Sequence, residues 1–202
     1  AVSYDNTTGV ITYTPAVPAA PTSFTDITTF GTTTEVTSAA AIAALLDATV
    51  VEATSTIQGS DYAAGSGDFF GYSVSVSSDG NTAAVGEPKN DSAGTDFGAV
   101  FIFVKSAGVW SEEAKITVTT NGTSPQFGFD VSLSSDGDTV LIGAPYSDTG
   151  VDNAGAAHIF TRSGTTWTEE AKIQASDLEA SDQFGYSVAI SDDGNTAVIG
   201  AW

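Results

Sequence analysis

Apolar and polar positions alternate strictly in three stretches of the chain. Phe70, Tyr72, Val74 and Val76 alternate with Gly71, Ser73, Ser75 and Ser77, and the same pattern runs through Phe127, Phe129, Val131, Leu133 and through Phe184, Tyr186, Val188, Ile190. A period of two with one apolar face predicts a half-buried strand. Each stretch leads to an Asp-Gly pair, in Ser78-Asp79-Gly80-Asn81, Ser135-Asp136-Gly137-Asp138 and Asp192-Asp193-Gly194-Asn195. Gly tolerates the positive φ of a tight hairpin, so a turn is expected there. The following run, Thr139 to Gly143 in the second copy, is apolar on both faces and predicts a central strand. A third strand is expected at Gly98–Phe103 and Gly155–Phe160. A fourth opens at Trp110 or Trp167, and its Glu-Glu and Lys mark an outer edge, where charge discourages further pairing.

These stretches return every 57 residues, as Phe70, Phe127 and Phe184 show. A fixed period of this length means stacked copies of one supersecondary unit. Four antiparallel strands per copy is the plan of a β-propeller blade, so the fold class is all-β. Phe-Gly at the first strand and Gly-Ala-Pro after the second (Gly86-Glu87-Pro88, Gly143-Ala144-Pro145, Gly200-Ala201-Trp202) resemble the FG-GAP repeat, the blade unit of integrin α-chain propellers and of many bacterial and viral surface proteins. Glu87 and Trp202 depart from the motif. The resemblance covers two full repeats and part of a third. Ile57-Gln58-Gly59-Ser60-Asp61 reads like Ile173-Gln174-Ala175-Ser176-Asp177, which makes 51–58 an expected fourth strand without a blade ahead of it. A chain stopping at Trp202 within a copy suggests a portion of a longer polypeptide.

The organisation expected is a hairpin and linker segment over 1–36, a short helix and connector over 37–50, and blades over 51–202. Val2-Ser3-Tyr4 and Val10-Ile11-Thr12-Tyr13 flank Asp5–Gly9 as a small hairpin. Residues 3–15 resemble segments of phage and virus fibre or appendage proteins. Pro15, Pro18 and Pro21 predict an extended linker. Ser38 is placed to cap a helix over 39–48 with Ile42, Leu45 and Leu46 on one face.

Composition narrows the partners. The chain carries 25 acidic against five basic residues, a net charge of −20 over 202 residues. Such a field repels nucleic acid and anionic lipid. Cys is absent, which removes disulfides and thiolate metal sites. No apolar stretch has the length of a membrane span.

Candidate chemistry is sparse. The resemblance implies calcium as the ligand of this family's loops, and calcium needs six to eight oxygens. The family's metal loop between first and second strands has shrunk here to Ser-Asp-Gly-Asn, so Asp79, Asp136 and Asp193 are read as turn residues. The longer loop after the Gly-Ala-Pro position offers Asp91 and Asp96 in one copy and Asp148, Asp152 and Asn153 in the next. These are the candidate calcium ligands, with solvated loop polarity as the plainer reading, and only Asp91 and Asp148 correspond between copies. His158, the single histidine, takes the place of Phe101 and is expected to be packed and hydrogen-bonded. Trp110 and Trp167 are expected as packing anchors between blades. Asn90-Asp91-Ser92 fits the glycosylation pattern. No catalytic site is expected. The resemblance implies a non-enzymatic extracellular or virion-surface protein presenting its loops to a glycan or surface protein. An architectural subunit of a fibre or shell, self-assembling, and a non-catalytic part of a larger surface enzyme are the alternatives.

Overall fold

A computed structural model describes residues 56–61, 67–119, 122–148 and 150–202, and the backbone of four short strands ahead of them. The chain divides into two compact units, residues 1–54 and 55–202. In the first, β1 (Val2–Asp5) pairs antiparallel with β2 (Val10–Tyr13), from Val2 opposite Tyr13 to Asp5 opposite Val10, which is the expected hairpin. Two further two-residue strands, β3 (Thr28–Thr29) and β4 (Thr32–Thr33), pair with each other. The expected linker, the helix over 39–48 and residues 51–55 of the expected orphan strand lie outside the described residues.

The second unit is built of repeats. β5 (Ser73–Val76), β6 (Thr82–Glu87), β7 (Ala99–Ser106) and β8 (Val109–Ile116) form one antiparallel meander, in that order. β9 (Val131–Leu133), β10 (Thr139–Ala144), β11 (Ala156–Ser163) and β12 (Thr166–Ile173) form the next, and β13 (Ser187–Ile190) pairs with β14 (Ala197–Gly200). The outer pair slips register between Ile102 and Phe103 in the first blade and between Ile159 and Phe160 in the second. The same bulge at the same repeat position marks it as part of the blade plan.

Phe-Gly does not begin the first strand, as alternation predicts. Tyr72 N–H donates to Phe69 O (3.1 Å), Phe129 to Gln126 (3.2 Å) and Tyr186 to Gln183 (3.1 Å). Gly71, Gly128 and Gly185 hold φ of 86°, 87° and 94° at the third turn position. A β-turn with positive φ there is the type II kind, which calls for Gly. The turn breaks the alternation. Phe127 points into the core, fully buried, while Tyr72 lies 54% exposed.

The blades stack through a separate hydrophobic core at each interface. Ala84, Val100, Ile102 and Ile116 of the first blade cluster with Val131, Leu133, Val140, Ile142 and Phe160 of the second. Leu141 and Ala157 pack likewise on Val188 of the third. The polar face of each inner strand serves the same interface. Val131 N–H donates to Ser73 Oγ (3.1 Å) and Leu133 N–H to Ser75 Oγ (3.0 Å). One repeat on, Val188 N–H donates to Asp130 Oδ2 (2.7 Å) and Ile190 N–H to Ser132 Oγ (3.1 Å). These groups satisfy edge amides that an inner strand otherwise leaves bare. Half-burial of the first strand holds in the second and third repeats only: Val74 and Val76 are 68% and 59% exposed, because none of the described residues forms a blade on that face.

Residues 56–61 run along the first blade as the expected orphan segment, though without strand pairing. Ile57, with Phe70, Ala83 and Trp110, packs against the buried cluster of Val85, Ala99, Phe101 and Phe103, as Ile116 packs in the core shared with the second blade. Ser60 donates through N–H and Oγ to the two carboxylate oxygens of Glu112 (2.7 and 2.9 Å).

Candidate functional site

Each Phe-Gly turn delivers an aromatic ring to one end of the array. Tyr72 and Phe129 have ring centroids 4.9 Å apart, and Phe129 and Tyr186 4.8 Å. Trp202 meets Tyr186 edge-on at 5.7 Å, and Phe69 lies 6.4 Å from Tyr72. Three of these rings face solvent, with Phe69 and Tyr72 at 54% and Trp202 at 81% exposure. The loops after β6 and β10 reach the same end. Lys89 Nζ sits over the Phe69 ring at 5.2 Å, and Tyr146 contacts Phe129 at 6.2 Å. The result is an exposed aromatic row flanked by acidic loops. Tyr72, Phe129 and Tyr186 were legible as a repeated aromatic, but alternation assigned them to the packed face.

The five candidate calcium ligands fall in these loops. Asp91 Oδ1 accepts the Asp96 N–H (2.8 Å), and Asp148 Oδ1 accepts the Asn153 N–H (3.0 Å). Asp96 and Asn153 therefore correspond as Asp91 and Asp148 do, and both hold positive φ, 51° and 50°. Asp148 Oδ2 accepts Thr123 Oγ1 (2.9 Å). The bond from the Asn153 amide, with those from Thr123, holds the Asp148 carboxyl below the usual range. In this arrangement Asp91 and Asp148 close their own loops. Among the described residues, no group of three or more His, Cys, Asp or Glu is placed to hold a metal ion.

Asp79, Asp136 and Asp193 do serve the turns at the opposite end. Each accepts a serine hydroxyl two residues back at 2.6 Å, from Ser77, Ser134 and Ser191. Each also accepts the amide two residues on. The Ser77 hydroxyl and the Asn81 amide pull Asp79 down to about 2.

His158 is buried, with its ring edge-on to Phe127 at 5.4 Å, the separation that Phe101 keeps from Phe70. Its Nδ1–H donates to Glu169 Oε1 (2.7 Å). Burial pulls its pKa below the ordinary value despite the carboxylate beside it. The ring fills a phenylalanine position and is hydrogen-bonded to Glu169. Glu87, at the position of Ala144, is also buried. Burial raises its pKa against a hydrogen bond from Asn90 Nδ2 (2.5 Å). Asn90 is buried as well and donates to Asp61 (2.9 Å), so its amide is no glycosylation acceptor in the folded chain.

Trp167 fulfils the expected anchor role between blades. It packs on the core shared by both blades, and its Nε1–H donates to Glu113 Oε1 (3.2 Å). Arg162 Nη1 donates to the same oxygen (3.1 Å), while its Nε bonds Asp138 (2.7 Å). Trp110 lines the open face of the first blade, with Lys105 over its ring at 5.7 Å.

Four-stranded meanders stacked face to face through matching cores are β-propeller blades. The FG-GAP repeat model matches residues 53–103, 110–160 and 167–202, and the chain belongs to that family. No curated protein matches it. A crystal structure of TolB from Acinetobacter baumannii is similar over 63% of this chain and 25% of that one, at 16% identity and a TM-score of 0.34. The chain thus spans about a quarter of that protein's length. Among the described residues, no helix is long and apolar enough to cross a membrane.

Proposed function

We propose that the protein is a non-enzymatic adhesion and display module of an exterior surface, cellular or viral, and that it binds a glycan across the aromatic row. The observation that carries this reading is the run Phe69, Tyr72, Phe129, Tyr186 and Trp202 along one end of the blades. Exposed aromatic rings offer large apolar area with a polar handle on Tyr and Trp, which suits the apolar faces and hydroxyls of a sugar. The carboxylates of the adjoining loops add acceptors for sugar hydroxyls. The net charge of −20 favours a neutral or basic saccharide over an anionic one. Membership of the FG-GAP family, whose repeats typically occur in extracellular proteins, supports the exterior location. Asp79, Asp136 and Asp193 are engaged in turns, Asp148 in its loop and His158 against Glu169, which supports a non-enzymatic reading.

The test is a glycan array probed with the labelled chain and with a Tyr72→Ser/Tyr186→Ser variant. The reading expects binding that the variant loses by on the order of tenfold per ring removed. Binding that both proteins share equally would place the site elsewhere, and a bare array with capture of a protein ligand instead would make the partner a protein.

A further inference from the structure

We propose that Lys115 and Asn90 join covalently, the lysine amine displacing ammonia from the asparagine carboxamide, so that an isopeptide bond ties the outer strand β8 to the loop after β6. The bond forms within a side-chain cluster of the first blade where an amine, a carboxamide and two carboxyls meet.

Glu87 stands where the motif has alanine, and it is buried together with Asn90. Both ends of the Asn90 carboxamide are engaged. Oδ1 accepts from the Ser92 N–H (3.0 Å), the Ser92 hydroxyl (2.5 Å) and Lys115 Nζ (3.1 Å). Nδ2 donates to Glu87 Oε2 (2.5 Å) and to Asp61 Oδ2 (2.9 Å). Three donors on one side and two carboxyls on the other fix which way the amide points. Asp61 Oδ2 also accepts from Lys115 Nζ, so one oxygen touches both the attacking and the departing nitrogen. The Phe101 ring holds Nζ from below, 5.3 Å from its centroid. The second blade keeps the lysine, as Lys172, but has Ala144 and Ser147 at the positions of Glu87 and Asn90. Ser147 offers no carboxamide to attack.

Each group has a step to perform. Asp61 Oδ2 takes a proton from the Nζ ammonium. The freed electron pair attacks Asn90 Cγ, one bond beyond the oxygen that Nζ already contacts. As the Nζ–Cγ bond forms, the carbonyl π pair moves onto Oδ1, where the two Ser92 donors stabilise the charge. Asp61 hands its proton to Nδ2, the pair on Oδ1 restores the carbonyl, and the Cγ–Nδ2 bond breaks to release ammonia. Asp61 then takes the extra proton of the new amide nitrogen and passes it to the ammonia, which leaves as ammonium. Burial pushes the Glu87 carboxyl toward its neutral form, so it adds little negative charge to oppose the one forming on Oδ1. Burial of Asn90 also excludes water, the competing nucleophile. The chain has no Cys, and a covalent tie across 25 residues restricts the unfolded chain as a disulfide would.

The experiment is mass spectrometry of the purified chain, intact and after trypsin. The intact chain is expected about 17 Da below its sequence mass, the loss of one ammonia. Trypsin is expected to spare Lys115 and to leave residues 90–105 joined to 106–162 in one branched peptide. Lys115→Arg, and Asn90→Ser copying Ser147, are expected at their full sequence masses and with lower melting temperatures than wild type. Circular dichroism checks that each variant keeps its strands. Glu87→Ala, copying Ala144, is expected to hold the bond back and leave most of the chain at full mass. A wild type at full mass that trypsin cuts after Lys115 overturns the proposal. So does a deficit of the same size that persists in Lys115→Arg, because the ammonia has then left without the lysine.

Discussion

Gly86 and Gly128 meet backbone to backbone: a Cβ on Gly86 would fall on the Gly128 carbonyl oxygen, far inside van der Waals contact. One repeat on, Gly143 meets Gly185 in the same way. The two glycines of the family motif are thus one contact between neighbouring blades. Gly143→Ala is expected to destabilise the chain by about 3 kcal/mol or more, since neither backbone can yield. Gly71→Ala, with open space but a φ of 86°, is expected to lose only about 1–2 kcal/mol. Urea denaturation of the two variants checks the difference.

Glu113 joins the first blade to the second by accepting from both Arg162 and Trp167. Its equivalent one repeat on, Glu170, is exposed. Glu113→Ala is expected to destabilise by about 2 kcal/mol, leaving an indole N–H and part of a guanidinium without partners. Glu170→Ala is expected to stay within about 0.5 kcal/mol of wild type. Equal effects in thermal melts would remove the inter-blade role.

His158 makes stability depend on pH. Burial lowers its folded pKa below the 6.5 of a free ring, against the opposing pull of Glu169 and with a further push from Lys172. The unfolded chain therefore takes up the proton first. Stability from this group is full above about pH 6.5 and declines as pH falls through the folded value. His158→Phe, copying Phe101, is expected to flatten the melting temperature between pH 7 and pH 5 relative to wild type. An unchanged slope would assign the dependence to other groups.

Asp148 closes its loop by accepting from Asn153 and Thr123. Asp148→Ala is expected to destabilise by about 1 kcal/mol, equally with calcium or with a chelator present. A destabilisation seen only with calcium present would make this loop, with Asp152 and Asn153, a cation site.

Much of the fold was legible because it is written in repetition. The strand order, the central β6 and β10, the charged outer β8 and β12, and the turn role of Asp79, Asp136 and Asp193 all follow from period and residue type. The Phe-Gly turn was not legible, because Gly71, Gly128 and Gly185 fit an alternating strand as well as they fit a positive-φ turn. That single ambiguity also hid the aromatic row, which exists only because the turn swings Tyr72, Phe129 and Tyr186 away from the face that Phe127 enters. Glu113 and Glu169 were read as edge charge, and their partners come from another blade or strand that sequence order does not reveal. The correspondence of Asp96 with Asn153 was obscured by the change of residue type, although the backbone is the same.

The most direct test of the aromatic row follows the ring resonances by NMR during titration with a neutral oligosaccharide such as chitohexaose. The account predicts shifts at Tyr72, Phe129, Tyr186 and Trp202, with Trp110 and Trp167 unmoved at the other end of the blades. Shifts confined to Trp110 or Trp167, or none at any ring with this or any array-selected glycan, would contradict it.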